Sequence, residues 1–226
     1  MAKKIQNVKE TETPQVTNKT EEFFNKNKKL ILGGIGAILL IIVAIIGYKQ
    51  FIVKPREAKA NYALSKPQVT FGNPGDSTSL NNFINVVNEY GSTNAGNLAN
   101  LYTGLEYARQ EKWEEAVKYL EAFEPGNDLL ISPMAIVALG DAYANMKKFD
   151  EAISAFKRAA DVANKASNDG KNNAVAPVAL RKAGIILLDQ GKKDEAKEIF
   201  EEIKAKYPQS PVFNDMDKFI EYASVK

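Results

Sequence analysis

The apolar positions of this chain change their pattern three times. From Leu30 to Tyr48 nineteen residues pass without a charge. At ~1.5 Å per residue a helix of that length covers about 28 Å, close to the ~30 Å hydrocarbon core of a bilayer. Lys28, Lys29 and Lys49 bound the run. A buried core helix would be shorter and one-sided. A cleaved signal would continue into a small-x-small site, whereas Tyr48-Lys49-Gln50-Phe51 follows here. The pattern predicts an uncleaved transmembrane helix over 30–48. Residues 49–96 form a juxtamembrane region. Pro55 and Pro67 bracket a short helix at about 56–66, a Gly/Pro/Ser-rich loop follows, and Leu80, Phe83, Ile84 and Val87 stand at helical spacing to about residue 90.

Beyond residue 97 the pattern becomes a repeat. Gly104, Tyr107, Ala116 and Leu120 recur as Gly140, Tyr143, Ala152 and Phe156, and again as Gly184, Leu187, Ala196 and Phe200. The glycine-to-alanine spacing is twelve residues each time, and a polar turn precedes each alanine: Lys112-Trp113-Glu114-Glu115, Lys148-Phe149-Asp150-Glu151 and Lys192-Lys193-Asp194-Glu195. Fixed recurrence of this kind marks an array of helical hairpins whose faces are buried only by stacking on neighbours. Each glycine and its alanine are expected to supply the small residues where two antiparallel helices cross, with the large residues filling the space beside the crossing. A glycine within a helix costs about 1 kcal/mol relative to alanine, so close packing must offset it. The alanines are 36 and then 44 residues apart. The extra residues are expected in the polar loop Asn164–Asn173. The final helix, Pro211 to about Tyr222, places Phe213, Met216, Phe219 and Ile220 on one face and reads as the cap of the stack.

These residues resemble the tetratricopeptide repeat, with copies at about 97–130, 133–166 and 177–210. Leu139 and Ala159 extend the match in the second copy and Tyr207-Pro208 in the third, while Thr103 and Phe123 depart from it in the first. The predicted fold is all-α. A polar tail occupies 1–29, its first twenty residues disordered and Glu21–Lys29 a short helix running into the span. The transmembrane helix is 30–48. A degenerate first hairpin lies within 49–96, three repeats fill 97–210 and a capping helix covers 211–226. In the tetratricopeptide family the first helix of each hairpin lines a concave face. Carried onto this chain, that face is Leu101, Leu105, Met134, Val137, Asp141, Val178, Arg181 and Ile185. The family's carboxylate clamp is not implied, because Leu101, Leu105 and Val178 replace its Lys and Asn positions.

Charge and composition narrow the function. Residues 1–56 hold ten basic against four acidic side chains, whereas 57–226 carry a net charge of −4. A mildly acidic domain argues against nucleic acid, and the basic charge lies where it can meet anionic headgroups. The chain has no histidine and no cysteine, which removes the commonest base, the thiol nucleophile and nearly all zinc sites. Gly33-Gly34-Ile35-Gly36 lies inside the apolar run and is not a phosphate loop. Ser167–Gly170 fails as a calcium loop, because Lys165 and Ala176 stand at the outer ligand positions. No catalytic residue, cofactor, metal or small-molecule substrate is therefore assigned.

The order of parts, a tail and one span ahead of helical hairpins, resembles the single-span ancillary subunits of the bacterial Sec translocon. That resemblance implies an inner-membrane adaptor with its repeat domain in the periplasm, and translocon subunits or periplasmic chaperones as partners. Lysines flank the span on both sides, so charge alone leaves the orientation open. A cytosol-facing targeting receptor remains an alternative. So does a scaffold that self-associates through Gly33-x3-Ala37.

Overall fold

The computed structural model describes residues 16–72 and 78–225, and among them the chain is all-helical. It divides into two compact units, Met1–Pro55 and Arg56–Lys226.

In the first unit α1 runs from Val16 to Tyr48. Its apolar side chains are exposed all round the helix, from Leu30 through Ile46. This is the one helix among the described residues long and apolar enough, by length and composition, to cross a membrane. The helix starts ahead of the apolar run: Glu21–Lys29 is helical as expected, and residues 16–20, expected to be disordered, are helical too; residues 1–15 lie outside the described residues. A π-helical turn, Lys49–Val53, follows, in which the Lys54 N–H bonds to the Lys49 carbonyl. Pro55 gives a reason for it: proline cannot donate to the carbonyl four residues back and its ring crowds that carbonyl, so a widened turn relieves the clash.

The second unit is a row of helices, each packed on the next from α3 onward: α2 (Lys54–Thr70), α3 (Thr78–Tyr90), α4 (Asn94–Arg109), α5 (Trp113–Ala122), α6 (Ile131–Asn145), α7 (Phe149–Ala166), α8 (Ala176–Asp189), α9 (Lys193–Lys206) and α10 (Met216–Ser224). The helix expected over 56–66 runs on through a buried Pro67 to Thr70. Ala60 and Leu64 of α2 meet Phe83 and Val86 of α3 and Ala95 and Ala99 of α4 in one core cluster. The cap begins at Met216 after a short 3-10 turn, Phe213–Asp215, and Phe219 stacks on Phe200 with ring centroids 5.0 Å apart.

Three hairpins turn in the same way. The residues at the bend, Glu111, Lys147 and Gly191, have φ of +59°, +60° and +74°. Each next residue donates its N–H back to the fifth residue before it: Lys112 to Tyr107, Lys148 to Tyr143 and Lys192 to Leu187. This left-handed cap satisfies carbonyls that a helix end leaves open. The acidic pair that follows each turn sits in the first turn of the second helix, where it complements the helix dipole.

The glycines do not face the alanines. A Cβ on Gly104 would lie 2.6 Å from Leu120 Cγ, on Gly140 2.6 Å from Phe156 Cε1, and on Gly184 2.5 Å from Phe200 Cε1. The large side chain sixteen residues on fills the space that each glycine leaves. Long side chains in a helix lean back over the turn that precedes them. Leu120, Phe156 and Phe200 therefore cover the crossing, and the buried alanines pack beside it.

The extra residues of the last spacing are also not in the loop. Helix α7 has 18 residues and α5 has 10, while the connections 123–130 and 167–175 differ by one residue. Pro125-Gly126 stops α5 early. No proline or glycine interrupts α7, and Ala159, Ala160 and Ala163 are buried along its added turns.

Gly140→Ala should destabilise the folded domain by about 1–3 kcal/mol, the usual cost of overpacking. Thermal unfolding of the full chain in detergent reads this. Pairing it with Phe156→Leu should recover part of the loss, whereas pairing it with Ala152→Gly should not.

Candidate functional site

The eight positions expected to line a groove separate into two groups. Leu101 and Val137 are 7% and 4% exposed and belong to the core. Leu101 packs with Ala116, Leu120 and Phe123, and Val137 packs with residues of α7 and α8. Neither is available to a partner. Each is enclosed by the second helix of its own hairpin and the first helix of the next, Leu101 by α5 and α6 and Val137 by α7 and α8. Met134 is half exposed, and Leu105, Asp141, Val178 and Ile185 are half-buried at the surface.

The open positions follow a rule that the sequence list obscured. Among the partly or fully exposed positions of each first helix are two that stand seven residues apart: Leu98 and Leu105 on α4, Met134 and Asp141 on α6, Val178 and Ile185 on α8. Seven residues are nearly two turns, so each pair lies on one line along its helix. Leu98 was missed, although its spacing to Leu105 is the signal that finds it. The stripe is apolar apart from Asp141. That carboxylate is held by Lys182 of α8, Nζ to Oδ1 at 2.8 Å, so the pair spans two first helices. Arg181 points away from this pair, with Nη1 3.3 Å from Asp215 Oδ2 next to the cap.

Two clefts lie along the second helices at equivalent positions of the repeat. One, of about 530 Å³, holds Glu121, Asp150, Glu151 and Arg158. Tyr143 donates its hydroxyl to Glu121 there, and burial together with that carboxylate pushes the phenol up to about 12. The other, of about 360 Å³, is lined by Lys157, Asp161, Glu195, Glu198 and Glu202 among others. Among the described residues no group of three or more side chains is placed to hold a metal ion.

The family model described as "T7SS, ESX-1 secretion system protein EccA1, N-terminal domain" matches residues 54–216, from the start of α2 to the start of α10. The chain belongs to this family. The matched segment holds every hairpin and both faces described above, and the apolar run of α1 lies ahead of it. The family is one that the repeat pattern alone did not name. No curated protein matches the chain.

A second feature escaped the sequence reading. At the entry to α6, Leu129, Leu130 and Ile131 are 51%, 55% and 53% exposed. The signal was present as three large apolar residues in a row, off the helical period, after the turn residues Gly126-Asn127-Asp128. The loop is firmly built. Asp128 accepts from the N–H groups of Leu130 and Ser132 and from the Ser132 hydroxyl, whose oxygen accepts from the Gly126 N–H. Burial alone would raise the Asp128 carboxyl, but these donors outweigh it and hold the group below the ordinary aspartate value of 3.8.

The sign of the linkage follows. A carboxyl depressed in the folded state contributes stability that is present above 3.8 and is lost as pH falls through its lower folded value. Asp128→Ala should therefore speed hydrogen exchange at the Leu130 and Ser132 amides. The difference from wild type should be constant between about pH 7 and 5 and shrink below about pH 4.

Proposed function

We propose that this chain is a membrane-anchored adaptor of protein secretion, which holds a partner polypeptide on the first-helix face of its hairpin array. The stripe Leu98, Leu105, Met134, Asp141, Val178 and Ile185 carries the proposal. Five of its six members are apolar, Met134 exposed and Leu98, Leu105, Val178 and Ile185 partly so, and a row of this kind suits the apolar side of a helical or extended segment. The family is described by a secretion-system protein, which supports secretion as the setting. The apolar helix ahead of the matched segment supports an anchor in the cytoplasmic membrane. The array is tetratricopeptide-like by its glycine, alanine and turn positions. The layout supports a periplasmic domain with translocon subunits or chaperones as partners, and no catalytic step is assigned to it.

Two measurements test this. Hot-spot side chains lose about 2 kcal/mol or more on truncation, roughly thirtyfold in affinity. Val178→Ser with Ile185→Ser should reduce co-purification of membrane proteins to that extent while helical content is kept. Lys157→Ala with Glu198→Ala, on the second helices, should leave it unchanged. Loss with the second pair alone would move binding to the clefts. Protease added to spheroplasts should remove a carboxyl-terminal tag without lysis. A tag that survives until lysis puts the domain in the cytosol and favours the targeting-receptor reading.

A further inference from the structure

The helices of the second unit alternate in direction, so its loops gather at two ends. The tight turns 110–112, 146–148 and 190–192 lie at one end. The other end holds the connections 91–93, 123–130, 167–175 and 207–212, and side chains tie them to one another. Asn97 and Glu124 exchange two hydrogen bonds, of 2.8 and 2.7 Å. Asn172 Nδ2 donates to the Leu129 carbonyl at 2.8 Å. Asn164 accepts from the Asn172 N–H and donates to the Tyr207 hydroxyl.

The unit's own first residues belong to this same end. Arg56 donates to the Glu89 carbonyl at the close of α3. Glu57 accepts from the N–H groups of Asn94 and Ala95, at 3.0 Å each, at the start of α4. The chain thus enters the array at the end that displays Leu129, Leu130 and Ile131. It arrives there seven residues after the apolar run ends at Tyr48, and Phe51, Ile52 and Val53 between them are also exposed. Seven residues reach at most about 24 Å even when fully extended.

We infer that the loop edge Leu129-Leu130-Ile131 inserts into the headgroup–acyl boundary of the bilayer that holds α1. The inference rests on the membrane-anchor reading above. Three observations favour lipid over a protein occupant. The edge lies at the same end of the second unit as its first residues, Arg56 and Glu57. Three half-exposed side chains on a loop cover far less than the ~800 Å² per side of a stable protein interface. The backbone around them already has its partners within the domain: Asp128 takes the Leu130 and Ser132 N–H groups, and Asn172 serves the Leu129 carbonyl. A loop satisfied in this way can leave water without orphaned polar groups. The edge would lie ~5–10 Å into the interface, as amphipathic surface elements do.

The chain has no cysteine, so single-cysteine variants can carry an environment-sensitive dye. Leu130→Cys, Ile131→Cys, Lys147→Cys and Leu39→Cys are made in the full chain and reconstituted in phosphatidylcholine–phosphatidylglycerol vesicles. Nitroxide lipids labelled near the headgroup or near the acyl end are then added. The expected result is blue-shifted emission at both Leu130 and Ile131, lost mostly to the headgroup-side nitroxide. Lys147, at the opposite end, should respond to neither, and Leu39 should respond to the deep one. If Leu39 is quenched while Leu130 and Ile131 stay wet, the inference fails and the anchor stands. If those two sites are shielded from aqueous iodide but untouched by nitroxide lipids, a protein surface covers the edge, and the inference again fails. An unquenched Leu39 removes the anchor reading and this inference with it.

Discussion

One contact organises the hairpins: a large side chain on the second helix seated against a glycine on the first. With Leu120, Phe156 or Phe200 in place, the backbones approach more closely than any Cβ would permit. The crossing fixes how far the pair can slide, and the left-handed turn fixes where the second helix begins. The residues three positions around the first helix are then committed to the next hairpin, which is why Leu101 and Val137 are buried. The open stripe is what remains of the first helix after both demands are met.

The array is held along its length by apolar clusters that share helices. One joins α2, α3 and α4, another α4, α5 and α6, and the largest runs from α6 to α10. Polar links are concentrated at the ends of helices. Glu57 caps α4 from a different helix, and the fully buried Glu106 holds Arg109 and the Gly72 N–H. Burying a carboxylate is costly unless it is paired and hydrogen-bonded, and these contacts supply that compensation where the first hairpin lacks the glycine crossing of the others.

Periodicity carried most of the fold into the sequence. The spacing of Gly104, Gly140 and Gly184 to their alanines located three hairpins, and the apolar run located α1. Three things were not legible. Which residue fills the glycine's space depends on the lean of side chains in three dimensions, so alanine looked as plausible as phenylalanine. The added turns of α7 were not counted because its polar end at Asn164 and Lys165 runs without a break into the polar connection 167–175. Pro67 looked like a stop, although its missing N–H is tolerated inside α2. At the surface, position in a repeat did not fix the angle around the first helices. Leu98 and Lys182 were overlooked, and Leu101 and Val137 were placed on the wrong side. The row Leu129-Leu130-Ile131 was visible as letters, but only the hydrogen bonds of Asp128 and Asn172 show that it is held outward.

The two ends of the array are under different rules. At one end the turns 110–112, 146–148 and 190–192 are each three residues long and repeat the same backbone geometry whether the centre is Glu111, Lys147 or Gly191. At the other, connections of three, eight, nine and six residues serve the same architecture. Insertions and deletions are therefore free to accumulate among those connections without disturbing any helix crossing. A lineage carrying this fold can rewrite what that end touches while the hairpins above it stay fixed.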